Sequence, residues 1–147
     1  MCFKITTDHA AGHWVAARIE GGYHEERSRA IGLMKNGEYV AGVIYENWNK
    51  RSIFCHIAID GQITPSYLAA IFDYPFNVCG VKKIIVSVFD TNSKSLTLVK
   101  KMGFKEEAKL KDAQPNGDIV LLVLNKSDCR FLGEKYGKKL TNATSAT

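Results

Sequence analysis

Apolar and polar positions alternate most clearly between residues 30 and 60. The run AIGLM, then Asn36-Gly37, then EYVAGVIY reads as a hairpin, because Asn-Gly supplies the positive φ angles of a tight turn that matches strand twist. A second turn around Trp48 to Arg51 leads into SIFCHIAID, where Ile53, Cys55, Ile57 and Ile59 alternate with Phe54, His56 and Ala58. The spacing therefore predicts three antiparallel strands over about 30–60. A short strand is expected before them at 2–7, then a helical piece from His13 to Ile19 ended by Gly21 and Gly22, and a polar loop or short helix over 22–29.

Beyond residue 60 the period changes. Thr64 suits an N-cap and Pro65 the first helical position, where its missing N–H has no consequence. Leu68, Ile71 and Phe72 begin an apolar stripe, Pro75 should kink the helix, and Gly80 should stop it. Ile84 to Phe89 is nearly all apolar and reads as a buried strand. Asn92 to Met102 reads as a helix closed by Gly103, and 104–112 and 118–124 as strands around a turn at Gln114 to Gly117. The pattern implies one α/β domain with a mixed sheet over 1–135, followed by a polar tail at 136–147 that is expected to be mobile.

Composition narrows the class. A chain of 147 residues with 46% hydrophobic content is the size of one domain and can bury a core. No run approaches the ~20 apolar residues of a membrane-spanning helix, and the N-terminus lacks a secretory pattern. The expectation is a cytoplasmic protein with no membrane partner. Cys2, Cys55, Cys79 and Cys129 show no paired spacing and fit reduced thiols. His9 and His13 lack the glutamate of the zinc-protease pattern, so no metal is expected. The net charge of +5 suggests an anionic partner: nucleic acid, an anionic membrane surface or a phosphorylated ligand. Residues 82–111 hold eight lysines against Asp90, Glu106 and Glu107, which accounts for the whole excess and favours one docking site.

Two elements carry candidate chemistry. A helix N-terminus exposes N–H groups and a partial positive charge, so the Ser66 and Tyr67 amides, with the Thr64 hydroxyl, suit a phosphate or pyrophosphate. In the second, Ser95, Leu98, Val99 and Met102 share one helical face, with Asn92 and Ser95 polar at its head. Such groups at the edge of a buried stripe need partners, and a ligand is one kind of partner.

The stretch NSKSLTLVKKMGFKEEAKLKDA resembles the closing motif of the GNAT superfamily of acyl-CoA-dependent N-acyltransferases. Asn-x-x-Ser-x-x-Val/Leu ahead of Gly-Phe-x-x-Glu is more closely similar to the branch containing the ribosomal-protein N-terminal acetyltransferases. The preceding IFDYPFNVCGVKKIIVSV, the strand IVLLVL and the SDCRF ending fit that branch too, and the resemblance spans about 30–132. It implies a mostly antiparallel mixed sheet with helices on both faces, and a V-shaped opening between Ile53–Ile59 and Ile84–Phe89. In that opening the pantetheine of acetyl-CoA, the implied cosubstrate, would meet the backbone of Ile57, Ala58 and Ile59. Pyrophosphate would sit at Thr64, Ser66 and Tyr67, and Asn92 would touch the pantetheine arm. Ser95 stands where the related branch has a serine able to protonate the departing thiolate; many other members have a tyrosine where this chain has Val99. Glu46 and His56 are the candidate general bases, Glu46 first because Tyr45, Asn47 and Trp48 beside it suit an acceptor pocket.

The acceptor stays open among a protein N-terminus, a lysine, a small amine and a nucleobase amine, and exposed strand edges allow a homodimer. Asp60 to Pro65 contains one glycine where the family has a glycine-rich pyrophosphate loop. The alternative is therefore a degenerate GNAT-fold binding module that contacts a protein or nucleic acid. Small members of this kind also occur in bacteriophages, where they would act on host components.

Overall fold

The alternating segments become a seven-stranded sheet in a computed structural model that describes residues 2–19 and 21–132. The strands are β1 (Phe3–Thr6), β2 (Arg29–Lys35), β3 (Glu38–Glu46), β4 (Ser52–Ile59), β5 (Lys83–Phe89), β6 (Lys105–Gln114) and β7 (Gly117–Asn125). Their order is β1-β2-β3-β4-β5-β7-β6, and every neighbouring pair is antiparallel except β4 and β5. The helices are α1 (His9–Ala16), α2 (Pro65–Asp73) and α3 (Ser93–Lys101). The architecture is thus one α/β domain with a mixed, mostly antiparallel sheet, as the sequence predicted. The expected tail at 136–147 lies outside the described residues.

The hairpin turn forms as its residues require, with Asn36 at φ 52° and Gly37 at φ 87°. Helix α1 starts at His9, four residues before the predicted His13. Asp8 caps it by accepting from the Ala11 amide, a local bond that outweighs the weak apolar pattern of the first turn. The helix lies on a flat seat made by Gly32 of β2 and Gly42 of β3, which face each other across the ladder. A β-carbon on Gly42 would stand 2.4 Å from Val15, and one on Gly32 would stand 2.7 Å from Ala11. Val15, Ile44 and Ala58 form the core of this face.

On the other face α2 and α3 cover the main core, where Phe72 stacks on Phe131 and lies beside Phe104. Pro75 does not simply kink the helix. It has no N–H to give to the Ile71 carbonyl, and the chain widens into a π turn over Tyr74–Val78. The Tyr45 hydroxyl, rising from β3, donates to that freed carbonyl instead. Burial pushes the Tyr45 phenol well above its ordinary pKa, so it remains a donor.

This pairing predicts that Tyr45→Phe, which keeps the ring and leaves the buried Ile71 carbonyl without a donor, destabilises the fold by about 1–3 kcal/mol. Urea unfolding of variant and parent measures it; an unchanged midpoint would refute the role assigned to the hydroxyl.

Candidate functional site

Strands β4 and β5 pair only through Ser52–Lys83, Ile53–Ile84 and Phe54–Ile85. Beyond these rungs β4 continues to Ile59 against β3, and β5 continues to Phe89 against β7. The two strands therefore part, and a cleft of about 860 Å³ opens between them. Ile57, Ala58 and Ile59 line it along β4, with their β5-facing backbone groups outside any ladder. Val86, Ser87 and Val88 line it along β5.

Helix α3 supplies another wall through Asn92, Ser95 and Leu98. Asn92 caps this helix, its Oδ1 accepting from the Ser95 amide at 3.1 Å, so its amide nitrogen is the group left for a ligand. Ser95 is half-buried on the cleft wall. Lys94 and Lys101 bring positive charge to the same space. Arg18 borders it too, stacked on Trp14 and paired with Asp60 at 2.7 Å, which ties the end of α1 to the end of β4.

The two candidate bases come together. The β3–β4 register sets Glu46 opposite Phe54 and Ile44 opposite His56, which puts both side chains on the α1 face. His56 Nε2 lies 2.7 Å from Glu46 Oε1. A carboxylate only accepts, so Nε2 carries the hydrogen of this bond and Nδ1 is the ring nitrogen it leaves uncommitted. His56 lines the cleft, while Glu46 borders a second cavity of about 360 Å³ together with Tyr45 and Trp48. Asn47 is not among that cavity's lining residues; it occupies the turn at φ 57°.

The expected pyrophosphate donors stand apart from the cleft, whose lining on this side ends at Asp60. The Thr64 hydroxyl accepts the Tyr67 amide at 3.1 Å, so that N–H is committed to the cap. The Tyr67 side chain is core, its hydroxyl donating to the Ile31 carbonyl. Of the two predicted amides only that of Ser66 has no partner among the described residues. Nor do all the lysines of 82–111 converge. Lys105, Lys109 and Lys111 ride on β6, the far edge strand, and Lys83 pairs with Glu107 at 3.6 Å. His9 and His13 are taken up by Tyr23 and Glu25. The bond from His13 holds the Glu25 carboxyl below its usual range.

Lys94 and Lys101 belong to the lysine cluster that the sequence reads as a docking site, whereas Arg18 and Cys55 were not singled out as cleft residues. Spacing carries no signal for them, since each reaches the cleft through long-range register or through the end of an element.

No family model matches the sequence, and no curated protein matches it. Solved structures do. A chimera of the spermidine N-acetyltransferase SpeG from Vibrio cholerae and hSSAT is similar with a TM-score of 0.68 at 16% identity, over 89% of this chain and 99% of that one. The GNAT fold is shown. A mutant of the Vibrio cholerae SpeG gives 0.69 at 15% identity, over 90% and 98% of the two chains. The N-acetyltransferase PseH from Campylobacter jejuni, in complex with acetyl coenzyme A, gives 0.53 at 16% identity, over 68% and 69%.

Cys55 lines the floor of the GNAT-fold cleft but is buried, and desolvation pushes its thiol well above the usual range. It is a neutral thiol at physiological pH and a poor nucleophile. With iodoacetamide at pH 8, exposed Cys2 should be alkylated at least about tenfold faster than Cys55, read peptide by peptide in a mass spectrometer. Equal labelling would mean that the cleft floor holds an accessible thiolate.

Proposed function

We propose that this protein is an acyl-CoA-dependent N-acyltransferase that uses acetyl-CoA and transfers the acetyl group directly to an amine. The observation that carries the reading is the parting of β4 and β5 after three rungs, which opens a cleft between His56 and Ser95. The cleft volume suits a cofactor-sized ligand (~300–1,000 Å³). The unladdered edge at Ile57, Ala58 and Ile59 fits the amides of a pantetheine arm, and Lys94 and Lys101 fit phosphates. PseH, of similar fold, binds acetyl coenzyme A. The motif Asn92-x-x-Ser95 favours the branch of the ribosomal-protein N-terminal acetyltransferases. Within the cleft, Lys94 and Lys101 are the groups that would meet the pyrophosphate, in place of a glycine-rich loop.

His56 takes the ammonium proton on Nδ1, and Glu46 holds the ring in that tautomer. The amine nitrogen bonds to the thioester carbonyl carbon, the carbon–sulfur bond breaks, and Ser95 gives its hydroxyl proton to the departing sulfur. The proton that the new amide nitrogen must lose returns to the Ser95 oxygen. Backbone N–H groups of the open β4 edge polarise the carbonyl oxygen. Holding both reactants side by side supplies much of the rate advantage. Glu46, placed first as base by sequence, becomes the positioning residue and His56 the base. The setting is a cytoplasmic one, and the chain works without a metal.

Two outcomes are expected. Acetyl-CoA well above its dissociation constant should stabilise the protein by about 2–3 kcal/mol in thermal unfolding. No shift at millimolar ligand sinks the enzyme reading and favours the binding-module alternative. In a free-thiol release assay, His56→Ala should lower kcat by about 10²–10⁴ and Glu46→Gln by less, with acetyl-CoA stabilisation retained in both. Ser95→Ala should also slow release. Parental rates in all three variants would eliminate these roles.

A further inference from the structure

The 360 Å³ cavity beside Glu46 lies where β2 begins and β3 ends, between residues 26–29 and the π turn. It shares a wall with the cleft. Tyr45, on its floor, pairs across the ladder with Cys55 on the cleft floor, and Glu46 accepts from His56. We propose that this cavity binds the acyl acceptor, and that the acceptor is a free α-amino acid with a large apolar side chain. The inference rests on the acyltransferase reading and adds the substrate class to it.

Three observations carry it. The first is apolar surface held open. Trp48 is 53% exposed and Val78 is 69% exposed, and both line this cavity; the remaining exposed large hydrophobic among the described residues is Leu110. The Trp48 ring is nevertheless tethered, its indole N–H donating to the Cys79 carbonyl at 3.1 Å. A fixed, half-exposed aromatic wall gives contact area at little ordering cost. The floor is aromatic too, with the Tyr45 and Tyr74 rings 5.0 Å apart. Burial and a hydrogen bond with Cys79 push the Tyr74 phenol up to about 12, so the floor is uncharged.

The second observation is the charge at the rim. Arg27 and Arg29 line the cavity, and neither has an ion-pair partner among the described residues. Glu26 and Glu46 border the same opening. An α-amino acid presents a carboxylate beside an ammonium, which matches arginines facing a glutamate. The glutamate that receives the ammonium is the one already bonded to His56. A polycation such as a polyamine would meet the two arginines at the same rim and has no carboxylate to offer them.

The third is size. About 360 Å³ is at the lower end of small-molecule pockets (~300–1,000 Å³) and suits one amino acid.

The test uses the full chain with acetyl-CoA and a panel of amines: phenylalanine, leucine, glycine, spermidine and a peptide beginning with phenylalanine. Thiol release with phenylalanine or leucine should exceed that with glycine and spermidine at least about tenfold in kcat/KM. Trp48→Ala and Arg29→Gln should each raise the KM for phenylalanine about tenfold or more while leaving acetyl-CoA stabilisation unchanged. Phenylalanine should also stabilise the parent chain in thermal unfolding, and this shift should vanish in Trp48→Ala. Acetyl-CoA binding with no preference among the amines, or with a parental KM in both variants, overturns this inference and leaves the acyltransferase reading intact. Turnover of the peptide but not of free phenylalanine also overturns it, in favour of a polypeptide acceptor. Absence of acetyl-CoA binding overturns the parent reading, and with it the acceptor role of this cavity.

Discussion

The molecule depends on a hinge of three parallel rungs. Ser52, Ile53 and Phe54 pair with Lys83, Ile84 and Ile85, and nothing in the ladder joins the two halves of the sheet beyond them. On one side β1 to β4 form an antiparallel set; on the other β5, β7 and β6 form another. Each half keeps its own antiparallel ladder, so the strands can diverge without breaking either. The base of the hinge is reinforced by the Lys82 amide on the Arg51 carbonyl and the Lys126 amide on the Lys82 carbonyl, each at 2.9 Å. Further along, the inner edge of β4 would demand hydrogen-bonding partners if it were dry. Water or a ligand rich in amides meets that demand, and the cleft is wide enough for either.

Much of this was legible in sequence. Period-2 alternation located the central strands, Asn36-Gly37 located the hairpin, and Thr64-Pro65 and Asn92 located two helix starts within a residue. All are local signals, set by φ preferences and by caps whose partners lie within three residues. The divergence of β4 and β5 is not local. Alternation is the same whether a strand edge is paired or open, so the opening entered only through the resemblance. The meeting of Glu46 and His56 likewise needs a register between strands, and the start of α1 was missed because Asp8 precedes two polar-to-neutral positions instead of an apolar stripe.

The clustered lysines show why linear charge counts mislead. They looked like one patch because residues 82–111 are contiguous, yet strand order sends β6 to the edge while α3 stays at the cleft. An edge strand exposes unpaired N–H and C=O groups, and charged side chains along it discourage pairing with another chain. Lys105, Glu106, Glu107, Lys109 and Lys111 serve that purpose on β6. The cation density left for an anion is that of Lys94 and Lys101, with Arg18 partly neutralised by Asp60.

Glu46 joins the two cavities electrostatically, and its position orders the proposed steps. In the proposed sequence an acceptor ammonium and His56 share one carboxylate before transfer. In the proposed transfer, when the proton moves to His56 Nδ1 the ring becomes a cation, and its 2.7 Å bond to the Glu46 carboxylate becomes an ion pair. The amine, now uncharged, loses its attraction for the carboxylate at that moment and is free to approach the thioester. In this proposal one negative charge holds the acceptor while it is unreactive and stabilises the base once the amine can react. A base without such a partner would have to rely on solvent for the second half of that exchange, in a setting where both side chains are only 22% exposed.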